Sequence, residues 1–147
     1  MKSLQSPMLR YMGRITRCLH SMMDMTFKTY QFQRGQFVFF TRICEQPGIN
    51  LAALTYACKV DKGTTTKAVR KLTEAGYVIK KQDEEDRRAW RLYPTAKALP
   101  VYDQIIAEEN RQIAMCLAGF TAAEKAKCLQ MLQRMSLHID AEWKSMK

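Results

Sequence analysis

Asp61-Lys-Gly-Thr-Thr-Thr-Lys-Ala-Val-Arg-Lys-Leu-Thr-Glu-Ala-Gly76, then Tyr77-Val-Ile-Lys-Lys-Gln82, Asp83-Glu-Glu-Asp-Arg-Arg88 and Ala89-Trp-Arg-Leu-Tyr93, is the stretch that decides the fold of this 147-residue chain. The first segment predicts a helix with both ends specified locally. Asp61 is an N-cap whose carboxylate can accept the N–H of Gly63 or Thr64, and its charge suits a helix start. Gly76 is the stop: as a left-handed C′ residue it makes Tyr77 and Leu72 the apolar pair that accompanies a Schellman cap.

At about 100° per residue, Thr65, Ala68, Val69 and Leu72 share one face of that helix, and Gly63, Lys67 and Arg70 share the other, flanked by Thr64, Thr66 and Lys71. The first face predicts core. The second offers long cations, small hydroxyls and a position without a side chain near the helix start, which suits base edges and phosphates in a major groove. Any amphipathic helix has a solvated face, but here the basic face leads at once into a cationic hairpin. Tyr77 to Ile79 is apolar and partly β-branched, Lys80 and Lys81 lead into an acidic tip, and Arg87, Arg88 and Arg91 lead out. Trp90 and Leu92 alternate with Ala89, Arg91 and Tyr93 as in a half-buried strand, which Pro94 ends because it has no N–H for the ladder. Such a hairpin can put an arginine into a minor groove, although the carboxylates of residues 83–86 would repel phosphate unless they pair with Arg87 and Arg88 or point away.

Upstream, Leu51, Leu54, Ala57 and Cys58 recur at helical spacing after Asn50, a fair N-cap, and Lys59-Val60 joins this helix to Asp61 by a turn of helix-turn-helix length. The fold class is therefore mainly α with a small β-hairpin wing: a winged helix-turn-helix. Its expected partner is double-stranded DNA.

Six segments in register, Gly35-Gln36-Phe37, Pro47-Gly48-Ile49-Asn50, Val60-Asp61-Lys62-Gly63, Lys71-Leu72-Thr73-Glu74-Ala75-Gly76-Tyr77, Asp86-Arg87-Arg88 and Tyr93-Pro94-Thr95, resemble the MarR family of bacterial transcription regulators over about the whole chain. The resemblance implies a single domain over residues 1–147, with a DNA-binding lobe at 31–94 and dimerisation helices at 1–30 and 95–147. It implies a homodimer on an inverted-repeat operator, and an arginine of the wing tip, here Arg88, entering the minor groove with Asp86 as its partner. On this reading Thr64, Thr66, Lys67 and Arg70 read bases, and Lys62, Lys71 and Arg87 hold phosphates. The family also implies release by a small aromatic or lipophilic effector, for which Tyr11, Met12, Phe27, Tyr30 and Phe37 are candidate pocket residues. Two departures stand out: the Glu that often follows the junction threonine is Ala96, and Pro100 should bend the first turns of the helix that Thr95 caps.

The flanks predict helices. Ser6-Pro7 reads as an N-cap and first helical position, and Met8, Met12, Ile15, Leu19 and Met22 repeat at spacings of three and four. No acid precedes Asp24, so residues 2–23 also look like a transit peptide or membrane-surface helix; because the family match starts there, a packed helix with a basic flank is preferred. A further helix near Gly35 carries Phe37, Phe40, Ile43 and Cys44 and ends at Pro47-Gly48. Another runs through Leu99, Tyr102, Ile105, Ile106, Ile113 and Leu117 until Ala118-Gly119-Phe120 breaks it. Thr121 and Glu124 predict a capping box, followed by a stripe of Leu129, Leu132, Met135, Ile139 and Trp143 that needs a partner, which the family match makes a second subunit.

Composition agrees. With 24 Lys and Arg against 14 Asp and Glu the net charge is +10, and residues 92–147 carry almost none of the excess, so the C-terminal third is least suited to face phosphate. No wholly apolar run, Phe37 to Phe40 included, comes near the ~20 residues that span a bilayer, so no membrane partner is expected. His20 and His138 lie in apolar helical patterns, and there is no phosphate loop, metal spacing or nucleophile elbow, so no enzyme activity, cofactor or metal is expected. Five scattered cysteines without a CxxC argue for a reducing bacterial cytoplasm. Two other classes remain open: an oxidant sensor acting through Cys18, whose thiol Arg14 and Arg17 would activate, and a winged-helix protein-interaction module without specific DNA binding.

Overall fold

The computed structural model describes residues 3–30, 32 and 35–146; Gln31, the first residue of the expected lobe, lies outside them. The order of elements is α1 (Met8–Thr26), a single 3₁₀ turn (Lys28–Tyr30), α2 (Gln36–Glu45), β1 (Ile49–Asn50), α3 (Leu51–Cys58), α4 (Lys62–Glu74), β2 (Val78–Gln82), β3 (Trp90–Pro94), α5 (Ala98–Cys116) and α6 (Ala122–Ser145). The chain divides between Glu109 and Asn110, within α5, into two compact units.

The first unit holds the core. Phe37, Phe40 and Ile43 of α2, Leu54 of α3, Val69 and Leu72 of α4, Val78 and Leu92 of the sheet and Ile105 of α5 are all buried. Each such side chain contributes about 1.5 to 3 kcal/mol by leaving water. Phe32, Phe40 and Tyr77 form a ring cluster with centroids 5.1 to 5.7 Å apart, and the Tyr77 hydroxyl donates to the Tyr30 carbonyl at 3.1 Å. Asp24 of α1 accepts the Gly35 N–H at 2.9 Å, which fixes the start of α2.

The sheet has three strands in the order β1-β3-β2, all antiparallel. The hairpin is the expected wing, with Val78 opposite Pro94 and Gln82 opposite Trp90. The added strand, β1, sets Ile49 against Leu92 and Asn50 against Arg91, and so ties the wing to the residue that caps α3. Leu92 is buried but Trp90 is 52% exposed. The alternation is right in phase, yet Trp90 pairs with Gln82 at the tip end of the hairpin, beyond the reach of the helices. Ala57 of α3 is likewise exposed, whereas Leu54 is fully buried.

Two helix starts differ from expectation. The N-cap of α1 is Pro7 rather than Ser6, although the Ser6 hydroxyl accepts the Met8 N–H at 3.3 Å. Thr95 does not cap α5: its hydroxyl donates to the Gly76 carbonyl at 2.7 Å, and α5 begins at Ala98. Pro100 therefore falls in the first turn, where an N–H has no intrahelical acceptor, and the expected loss of a hydrogen bond does not arise.

In the second unit, α6 opens with the expected capping box: the Thr121 hydroxyl accepts the Glu124 N–H at 3.2 Å and the Glu124 carboxylate accepts the Thr121 N–H at 2.8 Å. None of its described residues is buried, and Leu129, Leu132 and Ile139 are 58%, 47% and 66% exposed. Among the described residues no helix is long and apolar enough to cross a membrane.

Candidate nucleic-acid interface

The interface is built on α4, and both caps are made as the sequence predicts. Asp61 accepts the Thr64 N–H at 2.8 Å and, through its other oxygen, the Thr64 hydroxyl at 2.6 Å. The Thr64 hydroxyl and N–H hold the Asp61 carboxyl below its ordinary range, so the cap stays charged at the positive end of the helix dipole. At the other end Gly76 is left-handed, with φ of 79°. The Gly76 N–H donates to Thr73 and the Tyr77 N–H to Leu72, each at 3.0 Å, above the buried Leu72–Tyr77 pair. This is the Schellman arrangement.

Thr65, Ala68, Val69 and Leu72 are buried, which leaves Lys62, Thr64, Thr66, Lys67 and Arg70 exposed and Lys71 half-buried. The Thr66 hydroxyl donates back to Lys62 at 2.8 Å. Arg70 reaches Glu74 at 3.6 Å, with both side chains more than 60% exposed; a surface pair of this kind is worth little and releases its arginine readily. The α3–α4 turn passes through Lys59, a left-handed residue with φ of 54°. The Thr55 and Thr65 hydroxyls, hydrogen-bonded at 2.9 Å, join the two helices on the inner side.

The wing tip resolves its own charges. Asp83 accepts the Glu85 and Asp86 N–H groups at 2.9 and 3.1 Å and is ion-paired to the Arg91 guanidinium. Its partner is thus Arg91, not Arg87 or Arg88. Asp86 accepts the Arg88 N–H at 3.0 Å, so it holds that residue by the backbone, and no carboxylate among the described residues pairs with the Arg88 guanidinium. Arg87 and Arg88 are both exposed.

Between the start of α3, Lys62 and the wing lies a hollow of about 790 Å³, onto which Lys62, Lys80 and Arg88 converge beside Trp90, Leu51 and Thr55. Lys80 and Trp90 had no assigned role in the sequence. The only available signal was the tip-ward place of Trp90 on its strand.

Of the effector-pocket candidates, Phe27 and Tyr30 meet, with ring centroids 5.8 Å apart. Phe27 and Phe37 are core residues, Met12 and Tyr30 are half-buried, Tyr11 is exposed, and none of the five lines the hollow. Cys18 is exposed on α1, but the Arg14 guanidinium lies over the Tyr11 ring and that of Arg17 beside Gly13, both toward the helix start. Burial, and then the Glu45 charge, push the Cys44 thiol up to about 12; burial pushes Cys58 to about 11 against the opposing pull of Arg42. Neither is a ready thiolate. Among the described residues no group of three or more His, Cys, Asp or Glu side chains forms a metal site.

An exposed helix bearing cations and hydroxyls, seated on a three-stranded sheet beside a cationic wing, defines a winged helix-turn-helix transcriptional regulator. The MarR family profile matches residues 32–90. An HTH-type transcriptional regulator of Bacillus subtilis, YybA, is 34% identical over 139 residues, covering 95% of this chain and 93% of that one. The chain belongs to the MarR family. A solved MarR protein from Peptoclostridium difficile is 49% identical, with a TM-score of 0.95 over 100% of this chain and 96% of that one. A MarR family regulator from Listeria monocytogenes in complex with 26mer DNA is 34% identical, with a TM-score of 0.90 over 99% and 95% of the two chains.

Proposed function

We propose that this regulator binds an inverted-repeat operator as a homodimer, represses transcription there, and is released by a small aromatic or lipophilic effector. The observation that carries the reading is the outward face of α4, exposed along its length and fixed by caps at both ends. Thr64, Thr66, Lys67 and Arg70 read base edges in the major groove. Lys62, Lys71 and Arg87 hold phosphates, and Arg88 probes the width of the minor groove. The hollow between helix and wing seats the sugar-phosphate strand that separates the two grooves, with Lys62 and Lys80 on its charge and Trp90 against the sugar. The Listeria relative solved with 26mer DNA supports DNA as the partner.

The dimer is supported by the apolar stripe of α6, which this chain leaves exposed, and by the two-fold symmetry that an inverted repeat demands. Effector binding is the family's expectation. Phe27 and Tyr30, whose ring centroids lie 5.8 Å apart, would form the centre of such a site, with Tyr11, Met12 and Phe37 as the further candidate contacts.

Selection from a random duplex pool at a stated salt concentration tests the reading. Enrichment of an inverted repeat whose half-sites lie one helical turn apart, roughly 34 Å, is the expected outcome. Weak binding that ignores both sequence and salt would favour a protein-interaction module instead.

A further inference from the structure

Arg88 sits in a seven-residue tip, 83–89, that has no apolar anchor of its own, so something polar must fix its direction. The hydrogen bonds converge on Asp83. Its N–H donates to the Ala89 carbonyl at 2.9 Å, one carboxylate oxygen accepts both the Glu85 and Asp86 N–H groups, and the other accepts from Arg91 Nε. Asp86, oriented by that bond, accepts the Arg88 N–H at 3.0 Å, and the Asp86 carbonyl accepts the Ala89 N–H at 2.9 Å. Arg88 is therefore gripped on both sides by residues that Asp83 holds. Arg91 carries the arrangement inward: its Nη1 donates to the Gly48 carbonyl at 3.3 Å, two residues before the cap of α3. Gly48 in turn donates to Leu92 at 2.7 Å.

We infer that Asp83 and Arg91 are positioning residues for DNA reading: the clasp Asp83–Arg91–Gly48 sets where Arg88 stands relative to α4, and so sets the preference of the wing for flanking base pairs. The inference rests on the DNA-binding reading above. It also explains why an acidic tip is compatible with phosphate, since the carboxylate nearest the strands is spent on Arg91 and on backbone N–H groups. The Asp86 N–H, the Arg91 guanidinium and the Glu85 N–H hold the Asp83 carboxyl at about 2, which keeps the clasp charged at any pH used for binding.

The test compares two duplexes that share the selected half-sites and differ only in A·T or G·C pairs under the wing. Wild-type protein is expected to prefer one flank by about tenfold, the scale of one charged contact. Arg88→Ala abolishes that preference. Asp83→Ala abolishes it equally, keeps the half-site preference read by α4, and causes no further loss when added to Arg88→Ala. Should Asp83→Ala be unfolded at the assay temperature, Arg91→Lys is measured in its place: it keeps the cation but cannot bridge Asp83 and Gly48, and it gives the same loss. An Asp83 or Arg91 variant that retains the flank preference overturns the inference, as does one that weakens the Arg88→Ala protein as much as the wild type. Failure of the wild type to bind any duplex in a salt-dependent way would instead remove the underlying DNA reading, and is recognised before any variant is made.

Discussion

On the proposed reading, Arg70 and Lys71, neighbours on α4, do different work. Arg70 stands at the exposed face with only a loose pairing to Glu74, and its planar fork can grip a base edge, whereas half-buried Lys71 offers a point charge to the backbone. Arg70→Ala is expected to relax preference at one base position at a cost of about 1 to 3 kcal/mol. Lys71→Ala is expected to weaken all sequences alike and to lower the salt slope by about one. Binding curves on selected and scrambled duplexes across a salt series separate the two, and equal losses on every sequence for both would end the assignment. Asp83 makes a prediction of a different kind. Its folded carboxyl lies at about 2, below the ordinary 3.8, so its contribution to wing stability is complete above 3.8 and is lost as pH falls through 2. Amide spectra should show the Glu85 and Asp86 N–H environments unchanged at pH 5 and collapsing only toward pH 2. A midpoint near 4 would mean that the bonds to Asp83 are not made in solution.

At the scale of elements, local chemistry decides some structures and long-range chemistry decides others. Helix α4 was legible because Asp61, the 65-68-69-72 stripe and Gly76 all act within a turn or two of the bonds they make, and the capping box of α6 was legible for the same reason. Strand β1 was not, since two residues become a strand only when β3 is beside them. The start of α5 was misplaced because the Thr95 hydroxyl is claimed by the Gly76 carbonyl 19 residues away, a competitor that no local window contains. Trp90 reads as half-buried by alternation and stands exposed because the core ends one pair short of it. Among the candidate site residues, those on α4 follow from periodicity, while the convergence of Lys62, Lys80 and Arg88 on one hollow needs the folded wing. Two of the left-handed glycines, Gly76 and Gly48, allow a graded test. At Gly76 a Cβ would find nothing nearer than 3.9 Å, whereas at Gly48, with φ of 89°, it would meet the Tyr93 hydroxyl at 3.2 Å. Gly76→Ala should therefore cost only the left-handed strain, about 1 to 2 kcal/mol, and Gly48→Ala more. Chemical denaturation of both variants checks the order, and a smaller loss at Gly48 would contradict the close approach of the Tyr93 hydroxyl to the turn at Gly48.

For the whole molecule, the decisive quantity is the apolar surface left wet by one chain. Leu129, Leu132 and Ile139 of the stripe are 47% to 66% exposed on a single helix with no buried residue among those described. A soluble monomer rarely keeps so long a row of large aliphatic side chains in water, whereas a two-fold interface of about 1,000 Å² or more would absorb it. Two reading helices joined rigidly gain from each other: once one half-site is engaged, the second binds intramolecularly, which raises apparent affinity by about 10² to 10⁴-fold without a new contact. Ile139→Glu places a charge in the proposed seam and leaves every residue of α4 and the wing unchanged. It should convert a dimer in sedimentation to a monomer and remove most of the affinity for the full inverted repeat. Affinity for an isolated half-site should stay at the wild-type level, because α4, its caps and the clasp at Asp83 all lie within the first unit. Wild-type protein that sediments as a monomer at micromolar concentration, or an Ile139→Glu protein that holds the full repeat as tightly as the wild type, would show that the α6 stripe serves some other partner.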